Sequence, residues 1–201
     1  MSAFVTLSPR WLEKAKDVGA RRFAYARQQG YQNQGGLDPD PMYDRIGAVG
    51  EAAVAKHFGE KWHQSVGKID EPDVGRDIEV RTRSVYARNR NLYARPKDHD
   101  DRPYVLVHTV QGAEGVWLIG WRFAAEVKET GQWDEHSKRW YASPPYRPLY
   151  ELEQRIREQN TPPHAMVHTC IVCGAYAMHG RGVALLKGRE GTWYCGTHKP
   201  D

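Results

Sequence analysis

The chain has 201 residues, 27% of them charged and 11% aromatic, with a formal net charge of +4 and a pI near 8.9. That length accommodates one domain of ordinary size plus a small appendage, with enough material to bury a real core. No stretch approaches the ~18 apolar residues of a membrane span, and Met1 to Leu7 has neither the basic start nor the apolar core of a signal peptide; no membrane partner is expected, and a cytoplasmic location with reduced thiols is.

Ser8 and Pro9 mark a helix start, a capping hydroxyl followed by a ring suited to the first helical position. The segment through Trp11, Leu12, Ala15, Val18, Ala20, Phe23 and Ala24 reads as an amphipathic helix whose other faces carry Arg10, Lys14, Lys16, Arg21, Arg22 and Arg27. Its expected task is packing. Gln29 to Pro41 is a loop by its Gly and Asn content.

A second helix is expected from about Tyr43 to Phe58. It carries Gly47 and Gly50, and because glycine costs ~1 kcal/mol against alanine inside a helix, the pair predicts a close approach by another backbone. Glu51 shares a face with Gly47, Val54 and Phe58, at the edge of an apolar stripe. A carboxylate there needs a partner; the choice lies between an ordinary surface position and a metal or phosphate site.

The stretch from Pro72 to Arg83 stands at the centre of the chain. From Asp77 to Ser84 it alternates, with Ile78, Val80 and Thr82 on one face and Asp77, Glu79, Arg81 and Arg83 on the other, which predicts a half-buried strand. Side chains two apart share a face, so Glu79 and Arg81 point the same way, and Val74-Gly75-Arg76 can turn Asp73 back beside them. Carboxylates and a cation so placed suit phosphodiester chemistry, the acids holding Mg²⁺ while the cation offsets phosphate charge. The same pattern also fits a solvated face whose charges pair with one another.

From Arg81 to Lys97 the basic residues Arg81, Arg83, Arg88, Arg90, Arg95 and Lys97 occur with no acidic one, and Tyr86 and Tyr93 lie between them. This is either a phosphate-tracking surface or a loop kept soluble by arginine. Tyr104 to Val110 and Val116 to Trp121 are apolar runs of strand length around Gln111-Gly112-Ala113-Glu114-Gly115, and predict a hairpin. Phe123 to Tyr141 has a mixed pattern and no functional signal. A short helix is expected from Leu149 to Gln159, with Leu149, Leu152 and Ile156 on one side. Thr161-Pro162-Pro163 reads as a linker between a domain of residues 1–160 and a module of residues 164–201.

All three cysteines lie in that module, as Cys170-Ile171-Val172-Cys173 and Cys195-Gly196-Thr197-His198. Two tight turns that each supply two ligands have the spacing of a tetrahedral Zn²⁺ site, and four protein ligands leave no open position, so the zinc is expected to be structural. An odd cysteine count and a reducing compartment disfavour a disulfide. Val183 to Leu186, Gly188 to Gly191 and Trp193-Tyr194 read as a hairpin of the zinc-ribbon kind, in a unit small enough to fold on its metal.

Gly47-Ala48-Val49-Gly50-Glu51-Ala52-Ala53 on a helix, then Pro72-Asp73, then Glu79-Val80-Arg81 on a strand, together resemble the PD-(D/E)xK nuclease superfamily, over about Tyr43 to Trp121. The resemblance implies an α+β, restriction-endonuclease-like fold, a mixed sheet flanked by helices, with Mg²⁺ or Mn²⁺ as catalytic metal. It makes Asp73 and Glu79 the metal ligands, Arg81 the counterpart of the family's lysine, and Glu51 the assisting acid. Arginine cannot be deprotonated, so Arg81 would stabilise charge without serving as a base. The interval from Asp73 to Glu79 is short for the family, and Asp70 and Asp77 stand as alternative ligands. The wider chain is also similar to proteins encoded by bacteriophages, which would place it in a host cytoplasm. The expectation is therefore a metal-dependent nuclease acting on DNA, with Arg83, Arg88, Arg90 and Arg95 on the nucleic acid and the zinc module on nucleic acid or a protein partner. The alternative is a catalytically inactive phage protein that binds nucleic acid or a host protein and keeps a structural zinc site.

Overall fold

The computed structural model describes residues 2–31, 41–68, 70–109, 115–160, 169–175, 177, 179–181 and 191–199. It divides into two units, Met1–Gln154 and Arg155–Asp201. The fold is α+β. Among the described residues no helix is long and apolar enough to cross a membrane.

The larger unit is built on a four-stranded sheet. Strand β1 (Ala3–Thr6) pairs antiparallel with β5 (Gly115–Phe123), β5 pairs antiparallel with β4 (Pro103–Thr109), and β4 pairs parallel with β2 (Glu79–Ser84), giving the order β1-β5-β4-β2. The β4/β5 hairpin is the expected one, with a register shift between Leu106 and Val107 that the apolar pattern does not announce; Val110 and the connection 111–114 lie outside the described residues. Because β4 is flanked on both edges, Pro103 to Val107 are all buried and read as a continuous apolar run.

Helix α1 (Pro9–Gln28) and helix α2 (Pro41–Phe58) pack on each other, and α2 in turn packs on β2. Ser8 has the extended backbone of a cap, but its hydroxyl makes no capping hydrogen bond. The expected loop 29–41 is described only at Gln29 to Tyr31 and at Pro41, which opens α2.

The close approach assigned to Gly47 and Gly50 is divided differently. A Cβ on Gly47 would meet nothing within 4 Å, whereas one on Gly50 would lie 1.9 Å from Thr82 Oγ1, so Gly50 makes room for a β2 side chain. The backbone contact is at Gly19 of α1, where a Cβ would sit 2.7 Å from Arg45 Cα of α2. Small buried residues, Ala48, Gly50, Ala52, Ala53 and Ala55, let α2 sit this close to its neighbours.

The region without a functional signal forms a second layer. Strands β3 (Leu92–Ala94), β7 (Arg139–Ala142) and β6 (Gln132–Asp134) make an antiparallel sheet in that order, next to helix α3 (Ala124–Thr130). Leu92, Ala94, Ala124, Val127 and Ala142 bury one face of this layer against Tyr104 and Leu106 of β4. Helix α4 (Leu149–Asn160) buries Leu149, Leu152 and Ile156, the predicted stripe.

In the smaller unit β8 (His179–Arg181) and β9 (Thr192–Tyr194) form an antiparallel pair. The Thr161-Pro162-Pro163 linker, Val183 to Leu186 and Gly188 to Glu190 lie outside the described residues.

Candidate functional site

The entry to β2 is a tight reversal. Val74 and Ile78 exchange backbone hydrogen bonds of 3.1 Å, with Gly75 between them at φ +61°, a left-handed position that glycine occupies without strain. The Gly75 N–H donates to Lys61 O at 2.8 Å, which anchors the turn on the chain after α2. Asp73 is thereby folded back onto the strand, and its Oδ2 accepts the Val80 N–H at 2.8 Å. Period-two geometry does the rest: Glu79 and Arg81 lie side by side, with Nη1 of Arg81 3.7 Å from Glu79 Oε2. Glu51 reaches the same region from α2.

These acids sense one another. Enclosure by protein pushes the Asp73 carboxyl well above the usual carboxylate range, the charges of Glu51 and Glu79 push it further, and Arg81 and the Val80 N–H oppose them. Part of the Asp73 residue still reaches solvent. Asp73 therefore favours a proton or a metal cation over bare ionisation.

Each neighbouring acid already has a cation. Glu51 is only 5% exposed; Arg22 of α1 grips it with both amino groups, at 2.5 and 2.8 Å, and the Trp62 indole N–H donates to it at 3.0 Å. A third donor of Arg22 reaches Ser65 O at 2.8 Å. Glu79 accepts from Arg102 at 2.7 Å, and Arg102 also donates to the backbone carbonyl of Asp70. Arg81 donates to Asp98 at 2.8 Å and lies 4.5 Å from the Tyr104 ring centroid.

Sequence reasoning missed Arg22, Trp62, Asp98 and Arg102. The demand for a partner at Glu51 was readable from its place on an apolar stripe; which cation would answer was not, since Arg22 is one of six basic residues in its helix. Of the alternative ligands, Asp70 has a carboxylate that is 91% exposed and lies 3.7 Å from His99 Nε2. Asp77 lies on the reversal and is half-buried.

The arginine run splits into two groups. Arg83, Arg88 and Arg90 line one cavity of about 830 Å³ together with Asn91 and His136, and Arg83 is fixed by two donations to Asn89 O. Arg95 does not line that cavity; its backbone N–H donates to Asp98 at 2.9 Å, and its guanidinium lies beside Tyr93, a ring it shares with Arg83. Tyr93 is ringed by Arg81, Arg83, Arg95 and Arg139 at 4.6 to 5.9 Å from its centroid. Although its enclosure works the other way, these guanidiniums hold the Tyr93 hydroxyl below the usual tyrosine range.

In the smaller unit the two predicted ligand turns meet. Gly174 N–H donates to Cys170 O at 2.8 Å, His198 N–H to Cys195 O at 3.2 Å, and Ile171 N–H to Trp193 O at 3.0 Å, which ties the first turn to β9. Cys170 Sγ lies 3.7 Å and Cys195 Sγ 3.4 Å from His198 Nδ1, and Cys173 Sγ lies 3.8 Å from Cys195 Sγ. A tetrahedral ion with bonds of about 2.3 Å to sulfur and 2.0–2.1 Å to nitrogen has edges of roughly 3.5–3.8 Å, so the donor set fits one. Burial raises the Cys170 thiol, but the backbone N–H groups of Cys195, Cys173 and Val172 outweigh it and bring it down to about 6, toward the thiolate a metal requires. Among the described residues this is the one group of three or more Cys, His, Asp or Glu side chains whose ligand atoms converge to within 4.8 Å.

Comparison of the chain with protein-family models, with curated proteins and with solved structures returned no match. The functional reading therefore rests on these residues.

Proposed function

We propose that the chain is a metal-dependent nuclease acting on DNA, of the PD-(D/E)xK kind, with a structural zinc module. The observation that carries this reading is the folding of Asp73 back onto the start of β2, where Glu79 and Arg81 lie side by side and Glu51 acts on it by charge, with an Asp73 carboxyl that enclosure first and its acidic neighbours second drive away from ionisation. Asp73 and Glu79 are hard oxygen ligands and would hold Mg²⁺ or Mn²⁺; bound there, the ion supplies Lewis acidity toward the phosphate and an activated water. Arg81, fixed by Asp98 and Tyr104, offsets charge that develops on the phosphate but takes no proton. Glu51, held by Arg22 and Trp62, acts on Asp73 by its charge. Cys170, Cys173, Cys195 and His198 would hold Zn²⁺, which with four protein ligands would serve the fold of the smaller unit and take no part in the chemistry.

A second reading has its own observation: Glu51 and Glu79 are each neutralised by an arginine, Arg22 and Arg102, as in a protein that keeps the arrangement for binding alone. Incubation of purified protein with labelled linear and single-stranded DNA, with and without Mg²⁺ or Mn²⁺, separates the two. The nuclease reading requires metal-dependent cleavage that Glu79→Gln and Arg81→Ala abolish and Arg81→Lys preserves. Cleavage that survives both Glu79→Gln and Arg81→Ala removes this strand from the chemistry; salt-dependent binding without cleavage leaves the second reading.

A further inference from the structure

Two cavities are lined by the one segment that leaves β2. On one side Arg83, Arg88, Arg90 and Asn91 border the cavity of about 830 Å³, which Asp134 also lines. On the other, Tyr86 and Ala87 meet Met42, Tyr43 and Ile46 at the start of α2 around an apolar recess of about 280 Å³. Tyr43 is 53% and Tyr86 79% exposed, far more than apolar packing needs, and Arg88 and Arg90 are exposed beside them. One exposed tyrosine, Tyr86, is thus followed in one short stretch by two exposed cations, Arg88 and Arg90, and a second exposed tyrosine, Tyr43, lines the same recess as Tyr86.

Exposed aromatic rings beside exposed guanidiniums match a polymer of flat, unpaired bases joined by phosphates. In a duplex the base faces are stacked on one another and closed to side chains, whereas in a single strand they are free to stack on tyrosine while the backbone follows a positive groove. We propose that Tyr43 and Tyr86 form a stacking platform for single-stranded DNA, and that Arg88 and Arg90 hold the flanking phosphates. The inference takes DNA as the polymer from the nuclease reading above and adds its strandedness. The platform lies beyond Ser84, and Glu79 begins the same strand, so at about 3.3 Å per residue a strand docked on the platform is roughly 17 Å from the carboxylates.

The test is fluorescence anisotropy on the full chain in buffer free of divalent metal and of chelator, so that the smaller unit keeps its metal and no cleavage intervenes. The probes are one labelled oligonucleotide as single-stranded DNA, as blunt duplex and as single-stranded RNA. Single-stranded DNA binds tightest. Tyr43→Ala and Tyr86→Ala each weaken it by about 5- to 150-fold with little change in salt dependence, while Tyr86→Phe, which keeps the ring, binds as wild type. Arg88→Ala and Arg90→Ala each lower the slope of log affinity against log salt by about 0.7. Duplex bound as tightly as the single strand, tighter binding of RNA, or wild-type affinity in the folded double tyrosine variant overturns the proposal. Single-strand preference with no cleavage in Mg²⁺ leaves the platform standing and defeats the nuclease reading; cleavage with no single-strand preference does the reverse.

Discussion

Replacing Arg22 by alanine tests the assignment of Glu51 as a buried charge that depends on α1. The pair is largely shielded from water, with side-chain exposures of 19% for Arg22 and 6% for Glu51, so it belongs with the buried ion pairs, where removal of one partner costs about 3–5 kcal/mol. The Trp62 indole N–H remains on Glu51 Oε2 and one edge of Arg22 touches solvent, which places the expectation near the low end, about 3 kcal/mol. Alanine is at least as good a helix former as arginine, so the loss does not come from α1 itself. For a chain of this size it corresponds to a fall of roughly 6–12 °C in Tm.

Urea unfolding followed by tryptophan fluorescence reads the change directly, since Trp62 bonds to Glu51 and stacks on Trp11 at 6.0 Å. Arg22→Met combined with Glu51→Leu removes both charges and restores most of the stability, because a buried ion pair and a well-packed apolar pair are often nearly equivalent. A loss below about 1 kcal/mol for Arg22→Ala, the scale of an exposed salt bridge, would refute the reasoning and mean that another cation balances Glu51.

Asp73→Asn is expected to stabilise the fold, and more so as pH rises. A carboxyl whose folded pKa is raised above its unfolded value adds stability below the ordinary aspartate pKa of ~4 and loses it as pH climbs through the folded value; thermal melts at pH 5 and pH 8 check the sign, and Asn still accepts from the Val80 N–H. Arg102→Ala frees Glu79 from its 2.7 Å partner, so Mn²⁺ measured by calorimetry binds more tightly than to wild type, and unchanged affinity would mean Glu79 is not a ligand. The Cys170–His198 cluster is expected to hold one Zn²⁺ per chain by elemental analysis, and Cys173→Ser or chelation to unfold the smaller unit as seen by loss of amide protection, since structural zinc contributes an apparent ~10–16 kcal/mol.

What the sequence made legible is what local periodicity controls. The reversal at Gly75 and the alternation through Arg83 needed only a positive-φ glycine and a period of two, and they bring Asp73, Glu79 and Arg81 together. Helix α2 and the β4/β5 hairpin have the same local origin. The layer of β3, β6 and β7 was silent because strands of three or four residues are too short to show a period, and they are stabilised by Tyr104 and Leu106 from elsewhere in the chain. The ion pairs that neutralise the acids span 29 and 23 residues; nothing local selects Arg22 from its helix or Arg102 from its loop. Arg95, grouped with Arg83, Arg88 and Arg90 by proximity in sequence, does not line their cavity and meets only Arg83 of the three, at the Tyr93 ring.

The place of β2 at the end of the sheet, with β4 as its one strand neighbour among the described residues, bears on how the protein avoids self-association. A strand paired on one side offers a template for another copy, and inward or flanking charges are a common safeguard. Glu79, Arg81 and Arg83 recur at every second position of that strand, one acid and two bases, so residues assigned to chemistry and to the nucleic acid also guard the border against zipping onto a second molecule. Variants that blank the strand with several alanines at once would open an aggregation-prone edge, and their inactivity would be ambiguous. Single, shape-conserving changes such as Glu79→Gln keep the border guarded while they remove the charge.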